Sequence, residues 1–447
     1  MNRVMELTEN YYGVADGELT VEGIKVSDIV EEYGTPFYLY CPAIFREKLR
    51  RLQKALKGFK IYYSVKANPN PEVIRFFVDQ GCGLEIASAG ELYAALSCGC
   101  RPVNIIFAGP GKTESEIIAA VESQIGEIHV ESVAEIERVA AVARQRNLQM
   151  SVSLRINPGQ NAQAGAVQMG GKPSAFGIEE GQLAQAVKKV MGCENLILKG
   201  LHIYVGTQIL DDKALLEMYR YAFDLAGSIA DLSGQPIETI DFGGGLGVPY
   251  FEHETELDIE SFGNNLRGVI NENRSNHALS KASLVIEPGR YLTAEGGLYV
   301  AGVVDRKSSF GLDYVILDGG MNHHLAASGN LGQIIKRNYP LAVANRISQE
   351  CIRSVNIAGP LCTPIDTLGR NVLLPEIEAG DVIAFFMSGA YGLSSSPTGF
   401  LSHGAPLELF VTNGEVHVIR KRGTYSDLFA ETSIEKLAFE EVADDID

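Results

Sequence analysis

Basic residues are scarce in this sequence. Its 447 residues hold 38 Lys+Arg against 56 Asp+Glu, a net charge of −18. Nucleic acid and anionic membrane both require a positive field, so neither fits as a main partner. No apolar run approaches the length of a membrane span, and the opening MNRVMELTENYYG lacks the apolar core of a signal peptide. The seven cysteines are odd in number and contain no CxxC. A disulfide framework is therefore not expected, and a reducing cytoplasm is. Cys98 and Cys100 form a lone CxC without further ligands beside it and read as structural; no metal site is expected. No low-complexity linker divides the chain, and no GxGxxG opens a dinucleotide-binding unit, which argues against NAD.

What is present is a recurring texture. Apolar residues make up 46% of a chain long enough for two domains. Between residues 60 and 290, eight short apolar runs recur: KIYYSV (60–65), GLEI (83–86), VNIIF (103–107), EIHV (127–130), SVSLRI (151–156), KGLHIYV (199–205), ETIDF (238–242) and SLVIE (283–287). Helix-period segments such as NPEVIRFFVDQG and SVAEIERVAAVARQRN separate them. Eight strands with helical spacers predict a parallel (β/α)₈ barrel; a doubly wound open sheet is the competitor. After about residue 298, strand-like runs with turn residues between them predict a β-rich domain. The expected division is an N-terminal segment, 1–40, joining the β-domain, a barrel, 41–297, and the β-domain itself, 298–447. The stretch LTVEGIKVSDIVEEYGTPFYLY can alternatively lend a strand to the barrel. The acidic tail EEVADDID is expected to fray.

Active sites of such barrels lie at the C-terminal ends of the strands, and the unusual residues collect there. Lys66 follows the first strand and Glu85 ends the second. Arg155 lies on the fifth, His202 and Tyr204 on the sixth ahead of Gly206-Thr207-Gln208, and DFGGGLG (241–247) and EPGR (287–290) follow the last two. Consecutive glycines after a strand allow either a tight turn or a cradle of N–H groups for an anion. Arg290 beside Gly289 favours the cradle, since a guanidinium grips phosphate with a planar fork of donors. A strand-end lysine next to a phosphate site suggests pyridoxal 5′-phosphate, with burial lowering the lysine pKa and Glu287 facing the pyridine nitrogen.

YYSVKANPNPEVIRFF, GCGLEIASAGEL, GLHIYVGTQ, DFGGGLG, EPGRYL, GPLCTPID and SGAYG occur in that order, and together they resemble the fold-type III pyridoxal phosphate decarboxylases, the ornithine/diaminopimelate/arginine decarboxylase group. The resemblance implies an alanine-racemase-like barrel with a C-terminal β-domain and a head-to-tail homodimer whose active sites are shared. It implies Lys66 as the Schiff-base lysine and Glu287 as the partner of the pyridine nitrogen. Thr207, Gly244, Gly245, Gly289, Arg290 and Tyr391 resemble the phosphate-binding set, and Cys362 the partner-subunit cysteine that protonates the carbanion. Asp366 resembles the aspartate near the distal end of the substrate; His324 and Arg290 are further substrate-contact candidates.

The departures from that pattern concern the substrate. Tyr204 stands where the family carries a histidine stacked on the cofactor. Ala175 in KPSAFGI replaces a basic residue, HHLAASGN (323–330) lacks an arginine that grips a substrate carboxylate, and CTPID lacks a family glutamate. These features resemble a biosynthetic-cluster branch that includes the butirosin-pathway enzyme acting on a glutamyl group tethered to a carrier protein. An acidic carrier would need a basic patch, and Lys336-Arg337 or Arg420-Lys421-Arg422 are the candidates. Decarboxylation of free diaminopimelate, an amino-acid racemase and a non-catalytic pyridoxal phosphate binder are the rival readings.

Overall fold

The computed structural model describes residues 3–159, 173–204, 206–331, 333 and 335–430. Val205, Lys172 of KPSAFGI and the acidic tail lie outside the described residues.

The eight apolar runs become eight parallel strands: β1 (Lys60–Ser64), β2 (Gly83–Ile86), β3 (Ile105–Phe107), β4 (Glu127–Val130), β5 (Met150–Asn157), β6 (Leu196–Ile203), β7 (Thr239–Asp241) and β8 (Ser283–Ile286). Each pairs with the next in sequence, and β8 returns to β1 through Val285 opposite Lys60 and Ile286 opposite Ile61. That closing pair excludes the open sheet. Closure removes the edges that strands rich in Ile, Val and Leu would otherwise leave unpaired.

Six of the helices that follow barrel strands start on a side-chain cap. Asn70, Ser88, Thr113, Ser132, Asp211 and Asp258 each accept an N–H from the first turn of the helix they begin. These caps satisfy donors that have no partner inside the helix. They also fix where each strand-to-helix loop ends, and thus the rim of the barrel mouth.

The second domain is a nine-stranded sheet built mainly from residues 297–420. Its long strand, Gly297–Ser309, follows almost directly on the barrel's last strand. The N-terminal segment sends its strand here and not into the barrel. Phe37–Tyr40 lies antiparallel to Gly297–Val300 on one side and parallel to Leu407–Phe410 on the other. All four of its residues are buried, so both faces of FYLY are covered. No helix among the described residues is long and apolar enough to cross a membrane.

Candidate active site

Lys66 sits in the single 3₁₀ turn, Val65–Ala67, that ends β1. Its Nζ donates to both carboxylate oxygens of Glu85, at 3.0 and 2.9 Å. Glu85 is 1% exposed, while the Lys66 side chain, at 49%, opens into the mouth. The expected fall in the lysine pKa does not occur. Burial pulls it down, but Glu85, then Glu287 and Tyr391, outweigh that and hold it above the ordinary lysine range. Lys66 is thus a paired ammonium in this state. Ser64 Oγ also donates to Glu85, at 2.5 Å, fixing the carboxylate beneath it.

The loops after β7 and β8 meet around this turn. Gly243 has φ 66°, a left-handed conformation in which a Cβ would also lie 2.7 Å from the Ile203 carbonyl. A Cβ on Gly244 would lie 2.8 Å from the Glu287 carbonyl oxygen, so the bend and the end of β8 touch as backbones. Gly289 packs as closely against the Lys66 turn, where a Cβ on it would lie 2.8 Å from the Ala67 Cβ. Arg290 donates Nη1 to the Tyr250 hydroxyl at 3.0 Å, and its guanidinium stands 4.5 Å from the ring centre of Tyr391. Tyr391, at φ 53°, is tied by its N–H to the Ala67 carbonyl at 2.7 Å. One bend, one arginine and one tyrosine from the second domain thus converge on the lysine turn. Gly245 closes the bend by accepting the Ile209 N–H at 2.9 Å, and Thr207 is exposed on the loop before it.

Glu287 is buried, with Oε1 lacking any hydrogen-bond partner. His202 Nε2 is 3.5 Å from its Oε2, and His129 Nδ1 is 3.7 Å from its Oε1. Burial first, then His202 beside His129 and Arg155 beside His202, drives both histidines well below the ordinary imidazole range, so both are neutral. Tyr204 stands half-exposed at the mouth, 5.6 Å from the Arg155 guanidinium, which also faces Phe176 at 5.1 Å. Arg155 is anchored by Glu131 at 2.6 Å. His129, Asp241 and Tyr250 were not singled out from sequence. His129 lies inside EIHV, where alternation marks a strand without saying which face looks inward.

Two expected substrate residues are engaged elsewhere, and Cys362, expected to serve the partner's site, stands away from the mouth of its own chain. His324 is fully buried in the second domain among Tyr38, Tyr299 and Tyr339, with Nε2 bonded to Ser388 Oγ at 3.0 Å and Nδ1 accepting the Ala327 N–H. No nitrogen is left for a substrate. Asp366 is buried too. Its Oδ1 accepts the Met321 N–H at 2.7 Å and its Oδ2 the Leu361 N–H at 2.8 Å, so it pins two loops and does not face a ligand. Cys362 is exposed on the neighbouring turn. That turn is held by its own backbone bonds and by Asn330, with no such bond to the barrel among the described residues. Of the basic patches, Arg422 is spent on the carbonyls of Tyr33, Gly34 and Pro36, and Arg420 on Glu408. Exposed Lys421 is left on that patch; on the other, Lys336 bonds Asn330 Oδ1 and Arg337 lies 4.4 Å from the Phe251 ring and 3.6 Å from Glu254.

The residues at the mouth fit pyridoxal phosphate: an amine, a buried carboxylate oxygen with nothing bonded to it, and a backbone bend too tight for a side chain beside an arginine. The family described as pyridoxal-dependent decarboxylase, pyridoxal binding domain, matches residues 43–294. The chain is 38% identical to the L-glutamyl-[BtrI acyl-carrier protein] decarboxylase of Niallia circulans, over 92% of this chain and 97% of that one. It is 32% identical to a diaminopimelate decarboxylase of Methanothermobacter thermautotrophicus, over 92% and 95%. A solved diaminopimelate decarboxylase from M. jannaschii superposes with a TM-score of 0.86 at 27% identity, covering 95% of this chain and 98% of that one. Barrel, second domain, mouth and relatives agree, and the chain belongs to the pyridoxal-dependent decarboxylases of the alanine-racemase-like fold, enzymes that remove CO₂ from an amino acid or its carrier-bound form.

Proposed function

We propose that this enzyme decarboxylates an aminoacyl group of the glutamyl type tethered to an acyl carrier protein, and that it does so as a cytoplasmic homodimer. The observation that carries the substrate reading is the end-to-end likeness to the carrier-dependent relative. The geometry supports it. His324 is committed to packing and so is not free to grip the far carboxylate of a free diacid, and Asp366, filled by two backbone N–H groups, is not free to accept from its far ammonium. Lys336 and Arg337, beside the segment that follows the glycine bend, are cations available to an acidic carrier. The second reading, free diaminopimelate, is favoured by the full-length likeness to diaminopimelate decarboxylases.

Bound pyridoxal phosphate supplies an aldehyde for an amine and a ring that takes up the electron pair left when CO₂ departs. The chain's residues serve that chemistry at defined atoms. Arg290 and the N–H groups of Gly244 and Gly245 hold the phosphate. Glu287 holds a proton on the ring nitrogen. Lys66 would present its Nζ to the aldehyde, with Glu85 fixing where that nitrogen stands. Tyr204 and Arg155 wall the mouth on the strand-six side. Cys362, exposed in one chain, returns a proton to the former α-carbon from the partner subunit, a role the exposed neighbouring Ile365 supports by offering apolar surface for an interface.

The test is CO₂ release from free glutamate, ornithine, lysine and diaminopimelate beside carrier-tethered glutamate. The tethered substrate is expected to react faster than every free one. Rapid release from free diaminopimelate would transfer the assignment to the second reading.

A further inference from the structure

The segment that leaves the lysine turn is held from the other domain. Three bonds cross the seam between barrel and second domain: the Ala67 carbonyl accepts the Tyr391 N–H at 2.7 Å, Asn68 Nδ2 donates to the Gly389 carbonyl at 3.2 Å, and Asn70 Nδ2 donates to Glu408 Oε2 at 2.9 Å. The turn has little rigidity of its own. Val65–Ala67 is one turn of 3₁₀ helix, closed by the Asn68 N–H on the Val65 carbonyl at 3.1 Å, and such turns bond less well than an α-helix. Nor is the seam packed solid. A cavity of about 220 Å³ runs beside it, lined by Asn68, Asn70, Gly392, Ser394, Glu408 and Arg420 among others. Where close packing does not fix a segment, its hydrogen bonds decide where it lies.

Glu408 is the unexpected member of the seam. It sits in the buried strand Leu407–Thr412 beside Leu407, Leu409, Phe410 and Val411, and is itself 2% exposed. A carboxylate in such a place costs stability unless donors surround it. Three do. The Tyr40 hydroxyl donates to Oε1 at 2.8 Å, and Asn70 Nδ2 and Arg420 Nε both donate to Oε2. Tyr40 and Arg420 lie on the two strands that flank this one in the second domain's sheet, so Asn70 is the donor that comes from the barrel.

Asn70 also stands apart from the other helix caps. Its Oδ1 accepts the Glu72 N–H at 3.0 Å and starts the helix Pro71–Asp79. The other five capped barrel helices begin on Ser, Thr or Asp, and a helix start needs no more than the acceptor these supply. Asn70 is the only amide of the six, with its acceptor on one atom and its donors on another. The acceptor serves the helix and the donor serves Glu408.

We propose that Glu408 is a positioning residue for Lys66: by binding Asn70 it fixes the segment behind the lysine turn, and thereby where Nζ meets the cofactor's aldehyde. A strand of the second domain thus sets the geometry of a lysine in the barrel. Asn70 is only four residues beyond Lys66, and a displacement of about 1 Å at a reacting group costs on the order of a hundredfold in rate. The role given to Glu408 rests on the reading of Lys66 as the residue that joins the cofactor.

Two ligands of cofactor-free full-length protein test it. Pyridoxal 5′-phosphate carries the aldehyde that Lys66 takes, whereas pyridoxine 5′-phosphate has an alcohol in its place and keeps the same ring and phosphate. The ratio of their affinities measures the lysine linkage apart from the rest of the site. Asn70→Ser keeps a helix cap but removes the donor to Glu408. It is expected to lower the ratio about tenfold while the affinity for pyridoxine 5′-phosphate stays within about twofold. Glu408→Leu should do the same, and Asn70→Ser decides the matter if Glu408→Leu does not fold. Glu408→Gln, whose amide oxygen still accepts from Asn70, is expected to stay within about twofold of wild type. An unmoved ratio in folded Asn70→Ser would overturn the proposal. So would equal losses of both ligands in that variant, which would make the seam structural only, or a Glu408→Gln variant as impaired as Glu408→Leu. In Lys66→Ala the ratio should fall to about one. A wild-type ratio there would overturn the reading of Lys66 itself, whereas a fall there with no change in Asn70→Ser would overturn the role of Glu408 alone.

Discussion

Two pairs of buried histidines occupy this molecule, one in each domain, and they differ in one respect. His323 and His324 lie in the second domain with every ring nitrogen in use: Tyr299, the Gly404 carbonyl, Ser388 and the Ala327 N–H take all four. His129 and His202 lie in the barrel with all four nitrogens unbonded. Residue type, burial and depressed basicity are common to both pairs. What separates a working site from a packed core here is unmet hydrogen-bonding capacity. The same contrast sets Glu287, with its orphan oxygen, against Asp366, whose two oxygens are both filled by backbone N–H groups.

The contrast is sharpest at Lys66. Lys66→Ala is expected to cut turnover at least about a thousandfold and to abolish the cofactor's visible absorbance while far-UV circular dichroism stays native. An unchanged spectrum would remove Lys66 from the site. Arg290→Met should weaken pyridoxal phosphate binding by roughly a hundredfold, the worth of one or two charge-assisted hydrogen bonds, measured by titration of cofactor-free protein. His324→Ala should do the opposite, lowering unfolding free energy in urea by about 2–4 kcal/mol and leaving the KM of the folded enzyme unchanged. A raised KM with unaltered stability would restore His324 to the substrate pocket.

The smallest effect is a slope. Burial lowers His323 to about 4 and His324 to about 3 from an ordinary 6.5, so the unfolded chain binds more protons between those values. Their contribution to stability is complete above pH 6.5 and is lost as the pH falls toward 4 and below. Each contributes up to ~1.4 kcal/mol per pH unit within that window. Urea midpoints across the range should flatten in a folded His324→Leu variant.

The barrel was legible because each inward strand is a short apolar run, and eight runs with capped helices between them leave few other closures. Family likeness located Lys66, Glu287 and Arg290 along the chain, and in the fold these meet. It could not say which way a side chain faces. His324 and Asp366 sit within recognisable motifs yet point into packing, Asp366 because it bonds the Met321 and Leu361 N–H groups across two loops and His324 because it bonds Ser388 and the Ala327 N–H. The Lys66 basicity failed for a different reason. Burial was foreseen, but Glu85, nineteen residues away, binds the ammonium only once β1 and β2 are adjacent. Asp241 and His129 carry no such signal, because they approach Glu287 only once the barrel has closed.

The strand Phe37–Tyr40 sets an order on how this polypeptide can assemble. Emerging early from the ribosome, it finds its antiparallel neighbour only after Gly297 has been made and its parallel one only after Leu407. The barrel, whose closing partners run from Lys60 to Ile286, can be complete before either arrives. Until then four consecutive bulky side chains have no sheet to enter, which makes this short stretch the place where nascent chains are most exposed to pairing with one another.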